Sequence, residues 1–345
     1  MKKNLSLIFF VFIAITVIIG ISLFISNILN YSEKNIDFPS NQIVILSSEH
    51  DREILSDFFK RKNRFLPIEE DFYKIRWISA DSIDAYKNFP VVLMVKNKDR
   101  KDSLSHKVFD HIFKNKNKNS KVNIIKDAYS KSQTILGIEV LDSLDLINTL
   151  NKYSESINKI DLQIEDLILR KYKRIPENEE IVGYIKNKYS ANIFVDHEYT
   201  IIKNQKDILW LGRGNLGLSD PYRWILIREI GKHSSLEERI DSIQSTFNQI
   251  MSESNSIKIS HSNNSKTYEY MYNNNYIIGG IYTLSEIVKN SSNKGAIPTA
   301  GGPYISYILN REEKNDLLLI GLVNSPDQDK MIYLKQLEAI FKNVK

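Results

Sequence analysis

Between Leu317 and Val323 the chain reads LLLIGLV, a run with no polar side chain. A strand alternates its side chains between two faces, so a run of this kind suits a strand buried on both. Directly after it the chain reads as a helix start. Ser325 stands as N-cap, Pro326 takes the first helical position, where its missing N–H costs nothing, and Gln328 closes the box three residues on. Tyr333, Leu334, Leu337, Ile340, Phe341 and Val344 then form an apolar face, with Lys335, Gln336, Glu338 and Lys342 on the wet one. Tyr304–Leu309 reads as a strand before the run, and Asn310–Asn315 as a charged loop.

The rest of this half obeys the same grammar. Glu179–Tyr189 is expected as a helix burying Ile181, Val182 and Ile185. Asn192–Val195, Thr200–Lys203, Ile208–Gly212 and Tyr222–Ile230 are expected strands. Ser235 and Glu238 form a capping box for a helix carrying Leu236, Ile240, Ile243, Phe247 and Ile250. Ser252–Lys266 reads as a polar loop. Thr267–Tyr272 and Tyr276–Thr283 read as a hairpin across Asn273–Asn275, and Ser285–Gly295 as a surface excursion. Strands in succession, with helices between groups of them, predict an α+β unit: an antiparallel sheet with flanking helices on one face.

The other half is also α+β. Strands are expected at Gln42–Ser47, Tyr73–Ser79, Val91–Val95 and Thr134–Val140. Helices are expected behind Ser48 or Asp51 and around Leu104–Ile112. A longer pattern begins at Asp142 or Ser143 and runs to Pro176 as two helices, its apolar positions including Leu144, Ile147, Leu150, Tyr153 and Ile157. Lys96–Lys121 is the most basic stretch and reads as a solvated insertion.

Ahead of both halves lies an apolar run, Ile8–Ile25, behind Lys2 and Lys3. It is close to the roughly 20 residues that span a bilayer core, and longer than the roughly 7–15 of a secretory signal. It is not succeeded by an Ala-x-Ala cleavage site. The expected organisation is an uncleaved transmembrane anchor over 1–30, with a long, cleaved signal peptide as the alternative, a linker over 31–41, and α+β segments over 42–175 and 176–345. The lysine pair places the bulk of the chain outside the cytoplasm, on the periplasmic side of an inner membrane. The absence of cysteine excludes thiolate metal sites, Cys nucleophiles and a lipidated Cys. A net charge of +5 over 345 residues is too mild and too dispersed for a nucleic-acid binder.

Gly301-Gly302-Pro303-Tyr304-Ile305-Ser306-Tyr307, then Gly321–Pro326 and Tyr333–Ile340, resemble the end of a bacterial envelope family, the domain-of-unknown-function family numbered four-eight-three-seven. Leu66-Pro67 with Glu69 to Phe72, Asp127 to Gln133, Asn192 to Tyr199 and Trp210-Leu211 extend the resemblance over about 42–345. The family's members are typically exported lipoproteins. This chain departs from them in having no Cys, and Asp196-His197-Glu198 where an Ile-Pro-x-Gly-Tyr segment is expected. The resemblance implies no catalytic residue. At fold level the second half is also similar to PsbP/Mog1-like domains, which mostly bind partners.

Gly212-Arg213-Gly214-Asn215-Leu216-Gly217 satisfies G-x-G-x-x-G, but a strand, not a helix, is expected behind it, so a hairpin loop is the better reading. The six histidines are scattered, and Asp196-His197-Glu198 reads as a charged turn, so no metal or cofactor is expected. No G-x-S-x-G elbow occurs. Gly301, Gly302, Pro303, Tyr304 and Tyr307 are the candidate binding surface, in an aromatic group with Tyr268, Tyr270, Tyr272 and Trp224. The functional expectation is a membrane-anchored, non-enzymatic binding or structural protein with an envelope protein partner. An envelope hydrolase with a dispersed site and a lipid or small-ligand carrier are the alternatives.

Overall fold

The computed structural model of the chain describes residues 41–59, 70–71, 73–115, 117, 120–205, 207–215, 217, 220–254, 256–262, 267–290, 293–326 and 328–345. The expected anchor and nearly all of the linker lie outside them. Among the described residues no helix is long and apolar enough to cross a membrane. They gather into two compact units, one from 41–52 with Ile75–Ile157 and one from Glu53–Lys74 with Asn158–Lys345.

The first unit is a five-stranded sheet of β1 (Gln42–Leu46), β2 (Lys74–Ile78), β3 (Val91–Asn97), β4 (Val122–Lys126) and β5 (Thr134–Val140), in the order β2-β1-β3-β5-β4. β1, β3 and β5 run parallel, and β4 closes the edge antiparallel to β5. β4 is a strand the sequence does not announce, since VNIIK alternates burial without an apolar run. The helix Ser103–Ile112 is capped by Asp102, which accepts from Ser105 N at 3.1 Å. It packs Phe109, with Phe113 just beyond it, on Val92, Met94 and Ile135. The expected break into two helices falls at Tyr153, between Ser143–Lys152 and Ser154–Tyr172. The first of these turns differently from its sequence stripe. Leu146, Thr149 and Leu150 are buried, and Leu144 and Ile147 face water.

The second unit is an eight-stranded antiparallel sheet: β6 (Thr200–Asn204), β7 (Ile208–Asn215), β8 (Asp220–Ile230), β9 (Ile257–His261), β10 (Tyr268–Tyr272), β11 (Asn275–Asn290), β12 (Asn293–Leu309) and β13 (Asp316–Asn324). Its order is β10-β11-β12-β13-β8-β7-β6, with β9 on the far half of β11. β13 is central, and the run Leu317–Val323 is buried on both faces as its composition demands. Leu317, Leu319 and Val323 meet Leu334, Leu337 and Ile340 of the helix Met331–Lys342, in a core shared with the helix Glu179–Tyr189. Leu318, Ile320 and Leu322 share the opposite core with Ile243 and Phe247 of the helix Leu236–Ile250. Helices therefore cover both faces of this sheet, not one. The expected hairpin forms between β10 and β11, with Asn273 and Asn274 at φ 47° and 64°, the positive values a two-residue turn of this hand requires.

Four local expectations are corrected. β9 lies inside the expected Ser252–Lys266 loop. The expected excursion Ser285–Gly295 falls in the continuation of the β11–β12 ladder, which runs to Asn290↔Asn293. Asn192–Val195 is extended but joins no strand: Asn192 exchanges backbone hydrogen bonds with the C-terminal Lys345, and Val195 O accepts from Asn178 N. The last helix begins at Met331 rather than at Pro326. Its first N–H groups, of Lys330 and Met331, donate to Glu70 Oε2 at 2.7 and 2.9 Å. A full carboxylate at the positive end of the helix displaces the hydroxyl cap. Ser325 is instead buried, its Oγ without a partner.

Candidate binding surface

The five residues singled out by sequence lie on β12 and do not share an open face. Gly301 is exposed; Gly302, Pro303, Tyr304 and Tyr307 are buried. A Cβ on Gly302 would stand 2.1 Å from the Val323 carbonyl oxygen, so the glycine serves close approach of β12 and β13. Tyr304 and Tyr307, three apart on a strand, point to opposite faces. Tyr304 meets Phe247 edge-on at 5.9 Å, with its hydroxyl 3.0 Å from His261 Nδ1. Tyr307 lies in the core of the C-terminal helix, where burial pushes its phenol up to about 12.

Aromatic side chains do gather elsewhere on the same sheet. On β8, Tyr222, Trp224 and Leu226 alternate onto one face, and on β7 Trp210 joins them, placed by the registers Trp210↔Leu226 and Gly212↔Trp224. Trp210 and Trp224 meet edge to face at 5.5 Å. Tyr222 stacks beside Trp224 at 6.5 Å, and Tyr282 of β11 closes the group at 6.4 Å. Leu226 and Ile230 are sealed in one core with Phe247, but Tyr222 remains exposed. Ile202 lies over Gly212, whose missing side chain leaves it room, and is 46% exposed. Sequence reasoning noticed Trp224 as an aromatic and Trp210 only within a family motif. The signal that unites them is the hairpin register, which places two tryptophans diagonally on one face.

The buried charges are committed to one another. Arg213, from the G-x-G-x-x-G stretch, pairs with Asp196 and Glu198. Burial works against its charge, and the two carboxylates more than offset that. The stretch itself ends β7 and leads to β8 at Asp220, and among the described residues no α-helix begins there to meet a pyrophosphate. Leu216 lies outside the described residues. Arg223 pairs with Asp220, donates to Gln336 Oε1 at 3.2 Å and lies over the Tyr333 ring. A second network joins Glu165, Lys335, Glu338, Lys342 and Tyr270. Burial would raise the Glu338 carboxyl, but Lys335, Lys342 and the Tyr270 hydroxyl hold it down at about 2. Among the described residues no three of His, Asp and Glu group as metal ligands.

Two places offer acid–base chemistry. His233 Nε2 is 2.6 Å from Ser242 Oγ. Ser242 sits inside the helix Leu236–Ile250, where neighbouring N–H groups bond back along the helix and are not free to meet an oxyanion. Glu238 is turned to the helix N-terminus, its carboxyl lowered by the N–H groups of Ser234 and Ser235. An open groove of about 410 Å³ between that helix and β9 is lined by Asp241, Gln244, Asn248, Lys258, Ser260 and His261. Burial lowers the His261 imidazole below its usual value.

In the first unit, the carboxyl ends of parallel β1 and β3 meet where the chain order reverses, the usual ligand crevice of such sheets. Here it is filled by the fully buried Asp51. The carboxylate accepts from Ser48 Oγ and Asn97 Nδ2, each at 3.0 Å, with Arg100 Nε 3.8 Å away.

No curated protein matches the chain. The crystal structure of human STARD10 superposes with a TM-score of 0.22 at 8% identity, over 49% of this chain and 81% of that one. The human StarD13 (DLC2) lipid transfer and protein localization domain gives 0.17 at 10% identity, over 48% and 95%. Likeness at this level carries no argument about fold or function. Residues 178–343, in the second unit, match the model of the family described as domain of unknown function DUF4837.

Proposed function

We propose that the chain is a membrane-anchored, extracytoplasmic protein of the bacterial cell envelope that works by binding a protein partner rather than by catalysis. The observation that carries this reading is the aromatic end of the second sheet, where Tyr222 and Ile202 stand exposed beside Trp210 and Trp224. Trp and Tyr ringed by apolar side chains have the composition of interface hot spots. The run Ile8–Ile25 behind Lys2 and Lys3 supports anchorage, with the bulk on the periplasmic side of the inner membrane. A PsbP/Mog1-like arrangement of the second unit, a sheet closed by a C-terminal helix, is part of the same proposal and rests on analogy alone. The test is recovery of partners from crosslinked membranes. The wild-type chain should return a reproducible protein, and Tyr222→Asp with Ile202→Asp should lose it while keeping the far-ultraviolet spectrum. Repeated recovery of nothing by the wild type would refute the proposal.

The hydrolase reading rests on the Ser242–His233 contact. It requires hydrolytic activity of the purified chain that Ser242→Ala abolishes.

A further inference from the structure

In the first unit the helix Ser143–Lys152 turns large aliphatic side chains to water. Leu144 is 68% exposed, Ile147 41%, and Leu141, just before the cap, 61%. Leu144 and Ile147 are three apart and share one face of the helix, opposite the buried Leu146, Thr149 and Leu150. Asn148 and Asn151 fall on the same outward side. The charges around this face are matched. Lys121 pairs with Asp145, Lys98 with Glu139 at 3.3 Å, and Arg100 donates to Ser143 Oγ at 2.6 Å while facing Asp51. Asp99 and Asp142 add exposed carboxylates, and Lys101 and Lys152 add as many exposed ammonium groups. The patch is therefore apolar, flat in charge, and without aromatic anchors.

A specific protein interface usually offers anchors for pockets. A lipid interface accepts isolated aliphatic side chains with no demand for shape. The chain also carries its own reason to lie near a bilayer. Residues 31–41 separate the proposed anchor, 1–30, from β1 and extend to at most about 40 Å. β1 itself is only about 17 Å long, so both ends of the parallel strands lie within reach of one membrane surface.

We propose that Leu141, Leu144 and Ile147 seat the first unit on the outer surface of the bilayer, with their side chains at the boundary of headgroups and acyl chains. The inference rests on the membrane-anchored reading above. Because the surrounding charges cancel, the seat depends little on anionic lipid.

The chain has no cysteine, so single-cysteine variants report one position each. The full chain is reconstituted in phosphatidylcholine vesicles containing a nitroxide-labelled lipid. Fluorophores are placed at Leu144→Cys, at Ile18→Cys in the apolar run, and at Met271→Cys, an exposed site on the second unit. The Leu144 label should be quenched about threefold more than the Met271 label, as expected for insertion of roughly 5–10 Å, with or without phosphatidylglycerol. Quenching no greater than at Met271 overturns the seat: with Ile18 quenched the anchor survives, and with Ile18 unquenched both readings fall. Leu144 quenched with Ile18 unquenched supports the seat and removes the anchor. Leu144→Asp with Ile147→Asp alters only exposed positions, so the fold should persist by circular dichroism while a label at Leu141→Cys loses its quenching.

Discussion

Removing the Glu70 carboxylate should loosen the start of the C-terminal helix, and removing the Ser325 hydroxyl should not. Glu70 Oε2 accepts from two helix N–H groups at 2.7 and 2.9 Å, and Lys330 Nζ lies 3.7 Å from Oε1. Loss of a side-chain cap costs about 1–2 kcal/mol, and loss of a carboxylate at a helix N-terminus about 0.3–1 more. Glu70→Ala should therefore weaken the first helical turn by about 1.3–3 kcal/mol, which is about 10- to 160-fold faster exchange if opening is local. Glu70→Gln keeps an acceptor and loses the charge, so about 1 kcal/mol is expected. Ser325 Oγ is buried without a partner, so Ser325→Ala removes an unsatisfied group and should be neutral or stabilising by up to about 1 kcal/mol. Amide hydrogen exchange of Lys330–Leu334 in the full chain reads all three variants against the wild type. A Ser325→Ala variant that exchanges tenfold faster, beside a Glu70→Ala variant that does not change, would refute the capping argument.

Gly302→Ala forces a Cβ to within 2.1 Å of the Val323 carbonyl oxygen; that contact is with backbone, so a loss of about 3 kcal/mol or more is expected, seen as a lowered melting temperature. Glu338→Gln leaves Lys342, only 7% exposed, with Glu165 at 2.9 Å as its remaining carboxylate, and should cost about 3 kcal/mol in chemical denaturation. In the wild type the Glu338 carboxyl is depressed from 4.5 to about 2, so its contribution is complete above pH 4.5 and is lost as pH falls toward 2. By linkage the contribution is about 3 kcal/mol, and a stability profile flat between pH 5 and pH 2 would contradict the network. His261 is lowered by burial, so its contribution is present above its unfolded value and is lost as pH falls through the folded one; His261→Asn should flatten that part of the profile.

Local chemistry was readable in the sequence where the partners of an interaction lie a few residues apart. The helix Glu179–Tyr189, the capping box of Ser235 and Glu238, and the hairpin turn at Asn273–Asn274 are of that kind. So is the burial of Leu317–Val323, because an apolar run has only one place to go. The Ser325 box failed for the opposite reason: its competitor, Glu70, is 260 residues away in the chain and no local rule can see it. The aromatic group failed by register. Trp210 and Trp224 come together because β7 pairs with β8 in one alignment, and a slip of one residue would send either tryptophan to the other face.

The same division holds for the whole protein. By itself the sequence determined the class, α+β, with an antiparallel sheet and flanking helices in the second half, because periodicity, caps and turns are written within short windows. Only the tertiary structure decided which face each element turns to its neighbours. It buried Tyr304 and Tyr307 on opposite sides of β12, left Leu144 and Ile147 in water, and assigned each buried charge its partner, because these outcomes depend on contacts between segments far apart in the chain.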